Sequence, residues 1–377
     1  MAIATEPVIG TAAGGGKLTA SARVFSLDAF RGFTMIWMFS IAFGLHHVKD
    51  ATVLGIPLAG LETQFTHADW HGMYAWDLIQ PFFMFIVGVA MPFSIGKRRV
   101  EGAGRGAEFW HVLKRCAMLL LLGTMARSIS AGKPNFDVIN VLGQLSFTYM
   151  VAYLVLDRGW KVQALTAAGL LAAHTAFYLF VSAPGVTGPW DKNANIGWWL
   201  DGAVLGKHWG GGYATINCVS SAANTIFGVM TGFWLLSGKP VGEMLKRLVV
   251  LGVAGIAVGL GMDAAIPIIK KIWTASFAVY STGFTLLALV LFYWVLDVKK
   301  ARGAWVQPLI WVGMNSIFIY LFHEILYRWL RQTGLVFTGW AVAWWGNWGQ
   351  ALNECAVVAF QIYVCWWLYQ RRIFFKL

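Results

Sequence analysis

Charge is what this chain is short of. Only 12% of its 377 residues are Asp, Glu, Lys or Arg, while 58% are hydrophobic, against the roughly 25% charged residues of a soluble domain. With a mean hydropathy of +0.62, that scarcity excludes an ordinary water-soluble enzyme and implies an integral, multi-pass membrane protein. Cysteine is scarce too. Cys116, Cys218, Cys355 and Cys365 lie in apolar segments without metal-ligand spacing, so they read as small core hydrophobes, and neither a disulfide framework nor a bound metal is expected. The chain shows no convincing internal repeat. Residues 1–22, rich in Gly, Ala and Thr, lack an apolar run followed by a small-residue cleavage site, so they are expected to form a disordered cytoplasmic tail and not a signal peptide. The net charge of +12 would suit a polyanion. Lys and Arg nevertheless fall in short clusters between apolar runs instead of along one basic face, which argues for no nucleic acid among the partners.

Those apolar runs are long enough to cross a hydrocarbon layer of about 30 Å. They lie at about 27–47, 74–95, 109–128, 139–156, 162–181, 214–236, 244–266, 272–296, 305–330 and 345–369. The expected fold is therefore all-α, a polytopic membrane helical bundle of about ten transmembrane helices, with residues 23–377 as a single transmembrane domain. Ser26 or Asp28 is expected to cap the first helix, and Asp28 and Arg31, three apart on one face, are expected to pair. An even number of spans puts both termini on one side. The loops of that side carry Lys97, Arg98, Arg99, Arg105, Arg158, Lys161, Lys239, Lys246, Arg247, Lys299, Lys300 and Arg302. The other side is poorer, with chiefly Lys49, Lys133, Lys192, Lys207, Lys270, Lys271 and Arg331. By the positive-inside rule both termini are cytoplasmic, and outer loops fall at about 48–73 and 183–213.

The most informative stretch is 62–92, ETQFTHADWHGMYAWDLIQPFFMFIVGVAMP. His67, Asp69, Trp70 and His71 crowd its polar start, and Asp77 then sits at the threshold of an apolar segment, where a carboxylate is expensive unless it meets a partner or a wet cavity. Taken singly, these residues are accounted for by an interfacial loop and a helix cap; together they suggest a site. The outer loop at 183–213 carries Trp190, Asp191, Asn193, Asn195, Trp198, Trp199, Asp201, His208 and Trp209. A loop of that length dense in Trp is either functional or an interfacial aromatic belt. Aromatics beside short hydrogen-bonding side chains suit a sugar, with its apolar ring faces and hydroxyl edges. Asn140, Gln144, Asn217, Asn224, Asn315, His323, Glu324, Asn353, Glu354 and Gln361 also fall in or near spans, where interhelical hydrogen bonding explains most polar side chains.

SLDAFRGFTM at 26–35 and HADWHGMYAWDLIQPFFMFIVGVAMPFS at 67–94 resemble the signature of the transmembrane acyltransferases related to heparan-alpha-glucosaminide N-acetyltransferase and their bacterial relatives. The family pattern is met at His67, Ala68, Trp70, Gly72, Asp77, Leu78, Pro81 and Gly88. The likeness continues at 273–277, at 313–316, and at Asp201, Gly206 and His208. The resemblance implies transfer of an acetyl group from cytosolic acetyl-CoA, a co-substrate, to a sugar amine or hydroxyl on the extracytoplasmic side, in a bacterial cytoplasmic membrane. His67 stands at the family's catalytic position. The chain departs from relatives in aligning Ala42 with an Asn, and in having Leu142-Gly143-Gln144 where many show Leu-Gln-Arg.

The chemistry agrees with that implication. Removing a proton from an acceptor near neutral pH suits a neutral imidazole, so His67 is the expected general base or acyl carrier. Asp77 or Asp69 would orient it, Asp77 being favoured by the resemblance. Trp70, His71, Trp190, Asn195, Asp201, His208 and Asn315 are the expected acceptor contacts. Arg31, Lys97, Arg98 and Arg115, with Asp28 beside Arg31, are placed to meet the donor's phosphates, or else act as positive-inside anchors. The expected partners are acetyl-CoA, a sugar or glycan acceptor and the bilayer, with a homodimer also allowed. A transporter or flippase for a polar solute or glycolipid is the alternative, since buried Asp, Asn and His can also line a path.

Overall fold

The structure, a computed structural model, describes residues 24–53, 56–136 and 138–375. The tail expected at 1–22 lies outside them. Helix α1 (Phe25–Phe39) runs into a 3-10 segment, Ile41–His47, which contains Ala42. A two-residue antiparallel ladder, Thr52–Val53 with Ile56–Pro57, and the short α2 (Leu58–Thr63) come next. After an irregular stretch and a 3-10 turn at Ala75–Leu78 come α3 (Ile79–Val100), α4 (Arg105–Ala131), α5 (Val141–Leu154) and α6 (Gly159–Phe180). The outer loop contains α7 (Ile196–Leu205). The chain finishes with α8 (Asn217–Leu235), α9 (Val241–Met262), α10 (Ala275–Tyr293), α11 (Gln307–Met314), α12 (Ser316–Trp345) and α13 (Asn347–Gln370). Helices dominate because a bilayer offers no water to backbone N–H and C=O groups, so each crossing segment must satisfy its own.

Every one of the ten apolar runs is helical, but six of the described helices are long and apolar enough to cross a membrane by themselves, or seven if α11 and α12 count as one bent span. The difference from ten has a physical origin. Helices α1 and α5 have 15 and 14 residues, short of the roughly 17–25 needed to cross unaided, and α4 carries Arg105, Glu108, Lys114, Arg115 and Arg127 along its length. The straight ninth span expected at 305–330 is instead broken by 78° between α11 and α12. Asn315 sits at the break, its Nδ2 donating to the Ile373 carbonyl at 3.1 Å and its Oδ1 accepting from the Phe375 amide at 3.0 Å.

Close backbone approach holds the interior together. Helices α1 and α11 cross at Gly32 and Gly313, where a Cβ on either would run into the carbonyl of Leu309 or Asp28 respectively, and α3 and α8 cross in the same way at Gly88 and Gly228. Small residues allow such crossings where hydrophobic burial gives helices no reason to associate in lipid. The first helix is not capped by its own Ser26 or Asp28 side chain; Asp297, from far along the chain, accepts the Ser26 amide at 3.0 Å. Asp28 and Arg31 do pair, at 3.4 Å.

Five helices, α1, α3, α4, α5 and α12, alternate in direction around two cavities stacked end to end. At one end α3, α5 and α12 contribute Gln80, Val141 and Tyr320; at the other they contribute Phe83, Leu145 and Ile317. Along these three helices each step is three or four residues, so there the partition is about one helical turn, on the order of 5 Å. Across it runs a chain of amides: Gln80 Nε2 donates to Gln144 Oε1, and Gln144 Nε2 to Asn217 Oδ1.

Candidate active site

The segment 64–74 is irregular because its hydrogen bonds go to side chains and to a distant loop. Asp77 is the organiser. It is buried, its Oδ2 accepts the amides of Ala68 at 3.2 Å and Tyr74 at 3.0 Å, and its Oδ1 lies 2.7 Å from His67 Nδ1. That short contact requires a proton between the two atoms, so Nδ1 carries it and Nε2 presents a lone pair. The His67 side chain retains 42% of its exposure, enough for a ligand to reach the ring. Burial holds the imidazole below its ordinary pKa, opposed by the hydrogen bond to Asp77 and reinforced by the charge of Lys270.

A loop at 263–274, between α9 and α10, closes over this segment. The Gly72 amide donates to the Ile268 carbonyl at 2.8 Å, and Lys271 Nζ donates to the Asp69 carbonyl at 2.6 Å. The loop is held in one conformation by Trp273, a buried non-glycine residue at φ 52°, a backbone region that costs on the order of 1–3 kcal/mol. Its indole Nε1 donates to Asn224 Oδ1 at 2.9 Å and its carbonyl accepts from Ser220 Oγ at 2.6 Å. Thr274 caps α10, accepting from the Phe277 amide. The outcome of this bracing is the position of Lys270, whose Nζ lies 3.0 Å from His67 Nδ1, 3.4 Å from Nε2 and 3.5 Å from Asp77 Oδ1.

Asp69 and His71 do not share this cluster. The carboxylate of Asp69 is exposed and pairs with Lys192 at 2.6 Å, which lowers its pKa. His71 turns away to Asp263, 2.9 Å distant, and the backbone between it and His67 is not helical, so the two imidazoles serve different neighbours. Trp70 points to the outer loop, its Nε1 donating to the Trp190 carbonyl at 2.7 Å.

His67 and Lys270 line a cavity of about 520 Å³ together with Gln80, Trp209, Tyr213 and His323. That volume lies within the range of small-ligand sites. The outer loop does reach it, but through Trp209, Gly210 and Tyr213, not through the residues expected from sequence. Asn195 is buried as the N-cap of α7, accepting from the Trp198 amide at 3.0 Å and donating to the Asp191 carbonyl at 2.8 Å. Asp201 is buried and accepts the Thr215 amide at 2.9 Å, its carboxyl pushed up in pKa by burial. His208 stacks on Trp198 with ring centroids 3.5 Å apart, and Trp190 stacks on Tyr178. These four hold the loop's shape.

The second cavity, of about 500 Å³, opens at the opposite end, lined by Asp28, Arg31, Arg98, His111, Arg115 and Tyr149 among others. Arg115 lies over the Tyr149 ring at 4.7 Å, and its buried Nε has no hydrogen-bond partner among the described residues. Lys97 is exposed and pairs with Glu101 instead. Arg99, next to Arg98 in sequence, is clamped bidentately by Glu108 at 2.7 Å and also held by Asp157 at 2.8 Å. Met314 and Ser316 line this cavity too, which places Asn315 beside the cationic cavity and away from His67. Among the described residues no group of His, Cys, Asp and Glu is arranged to hold a metal ion.

Lys270, Gln80, Arg127, Tyr213 and His111 are not site residues that sequence reasoning finds, and Trp209 enters there only as part of the outer loop's aromatic content. For Lys270 a signal existed: Lys270 and Lys271 form a charged pair inside apolar surroundings, immediately before the 273–277 block that carries the family likeness.

Comparison with known proteins bears on this geometry. Residues 23–188 match the family described as heparan-alpha-glucosaminide N-acetyltransferase, catalytic. Over 368 aligned residues the chain is 23% identical to heparan-alpha-glucosaminide N-acetyltransferase of Mus musculus, covering 81% of this chain and 54% of that protein. It is 24% identical to the Homo sapiens enzyme of the same name, covering 80% and 53%. The chain thus spans about half the length of the curated relatives it matches.

Proposed function

We propose that this chain, which is similar over most of its length to heparan-alpha-glucosaminide N-acetyltransferases, moves an acetyl group from acetyl-CoA to a sugar acceptor across a membrane. The observation that carries the reading is the pair of cavities, one holding a His67–Asp77 dyad and the other lined with guanidinium groups, separated by about one helical turn. The asymmetry of Lys and Arg supports the cationic cavity and both termini on the cytoplasmic side of a bacterial membrane, with ten crossings in which α1, α4 and α5 are the short or polar members.

In this reading Arg31, Arg98 and Arg115 meet the phosphates of the donor, and the unpartnered Nε of Arg115 fits an anionic group. The acceptor occupies the His67 cavity against Trp209 and Tyr213, whose rings suit a sugar face. His67 Nε2 takes the proton of the attacking amine or hydroxyl, and Asp77 fixes the productive tautomer and stabilises the resulting imidazolium. The acceptor's new bond to the acetyl carbon replaces the thioester C–S bond, and CoA leaves as its thiol. The assay is incubation of purified protein with labelled acetyl-CoA and a panel of amino sugars and oligosaccharides; an acetylated product identifies class and acceptor together, and no label transfer to any of them counts against the reading.

Solute transport has one observation in its favour, the 78° break between α11 and α12, since discontinuous helices are frequent at transporter sites. Sugar uptake into proteoliposomes without acetyl-CoA would establish it.

A further inference from the structure

Lys270 is a buried charge in the His67 site that proton transfer from acceptor to an Asp77-oriented His67 leaves without a task. Its side chain is 8% exposed, and among the described residues its ammonium contacts only His67 and Asp77. An ordinary ion pair would seat Nζ about 2.7–2.9 Å from a carboxylate oxygen. Here the carboxylate is at 3.5 Å, and its two oxygens are already engaged by His67 Nδ1 and by the amides of Ala68 and Tyr74. The ammonium therefore stands against the imidazole more closely than against its counter-ion, 3.0 Å from Nδ1 and 3.4 Å from Nε2. Two positive charges so close would repel strongly in a partly desolvated site, so this placement favours the neutral ring. An acceptor that gives its proton to Nε2 sits against a nitrogen 3.4 Å from Nζ, which brings the carbonyl it attacks beside the ammonium.

We propose that Lys270 is a second catalytic residue of acetyl transfer: it stabilises the oxyanion that forms on the thioester carbonyl and keeps His67 unprotonated until attack. The proposal rests on the acyltransferase reading of the site. The acceptor's lone pair forms a bond to the carbonyl carbon, the C=O π pair moves onto oxygen beside the ammonium, and the acceptor's proton passes to His67 Nε2. The oxyanion then re-forms the C=O bond as the C–S bond breaks, and the imidazolium gives its proton to the departing thiolate, yielding the acetylated acceptor and CoA thiol. Lys270 assists this last transfer too, because it repels an imidazolium that lingers. A preorganised donor of this kind contributes about 10²–10³ in turnover.

Other groups also bear on the charge of His67. Asp77 faces it from its own segment, Lys271 from the 263–274 loop, Tyr213 from the outer loop, Arg127 from α4, and His323 with Glu324 from α12. Among the described residues, Lys270 is the cation within hydrogen-bonding distance of the ring.

The test uses the full chain in lipid nanodiscs with ring-15N histidine, comparing wild type with Lys270→Met, Lys270→Gln and Lys270→Arg. The neutral variants should lose about 10²-fold or more in kcat with little change in KM for acetyl-CoA. The His67 ring titration, read by NMR, should move to higher pH in them, and Lys270→Arg should recover part of both properties. Wild-type kcat in a folded neutral variant overturns the proposal, as does an unmoved His67 titration. An acetyl group found on Lys270 by peptide mass analysis also overturns it, making the residue an acyl carrier. The titration arm needs no turnover: if wild type acetylates nothing on the panel, the acyltransferase reading falls and the catalytic role falls with it, while the coupling of Lys270 to His67 is still measured directly.

Discussion

The 64–78 segment and the outer loop at 183–213 have similar compositions and opposite uses. Both are polar, aromatic stretches beside apolar helices, both contain His and Asp, and they touch where Trp70 donates to the Trp190 carbonyl. In the first, the buried carboxylate of Asp77 orients a half-exposed imidazole toward a cavity. In the second, Asn195 and Asp201 spend their hydrogen bonds on the backbone, and His208 and Trp190 are stacked against neighbours. The difference teaches that a buried polar group with satisfied partners shapes a loop, whereas function needs an atom whose partner is left to the ligand. His67 Nε2, met in the protein only by the Lys270 ammonium at 3.4 Å, is the nearest to such an atom in the first segment. What the outer loop brings to the cavity is aromatic surface at Trp209 and Tyr213.

The sharpest way to break that contrast is His67→Ala, which should reduce acetyl transfer by at least about 10²-fold while the protein stays folded and binds acetyl-CoA. Near-normal transfer in this variant would remove the basis for treating the two regions differently. Asp77→Asn should come next, lowering turnover because the ring is left in the wrong tautomer. It also tests the pH dependence. Burial depresses the His67 pKa, so the base form persists at neutral pH and activity should fall only as pH drops below the ordinary value of about 6.5. Asp77 opposes that depression, so Asp77→Asn should carry the acidic limb of kcat/KM to still lower pH; a shift upward would contradict the assignment.

Within the outer loop, Trp209→Ala should raise the acceptor KM by several-fold, about what an aromatic contact of 0.5–1.5 kcal/mol provides, with kcat less affected. Asn195→Ala removes a helix cap worth about 1 kcal/mol, so it should lower thermal stability while turnover per folded molecule is retained. If Asn195→Ala instead raised the acceptor KM without a loss of stability, the loop's polar residues would be ligand contacts after all. The smallest effects belong to His71→Ala and Asp69→Ala. Their partners Asp263 and Lys192 are outside the His67 cluster, exposed ion pairs are worth about 0–1 kcal/mol, and transfer should stay within about twofold of wild type.

Much of the molecule was legible before any fold was known. The scarcity of charge required a membrane, the apolar runs became helices, and the motif from His67 to Gly88 marked both the dyad and the α3–α8 crossing. Asp28 and Arg31 met because three residues on a helix is a local relation. Where sequence reasoning missed, the partner was mostly distant along the chain: the Ser26 amide is accepted by Asp297 and Asn315 is tied to Ile373 and Phe375, whereas Asn195 turned inward for a local reason, the cap that α7 needed. Arg98 and Arg99 show the same limit in adjacent residues, one lining a cavity and the other locked to Glu108 and Asp157.

By itself the amino-acid sequence determined the properties that composition, periodicity and short spacing dictate: a helical membrane protein, the placement of its apolar runs, and a histidine with a carboxylate ten positions away. Only the tertiary structure decided that Asp77 and not Asp69 holds His67, that the 263–274 loop brings Lys270 against the ring, and that two cavities meet end to end inside five helices. The physical reason is direction. Spacing along a chain fixes which face a side chain takes on its own helix, but which group it finds there depends on the packing of segments far apart in sequence, as the 203 positions between His67 and Lys270 illustrate.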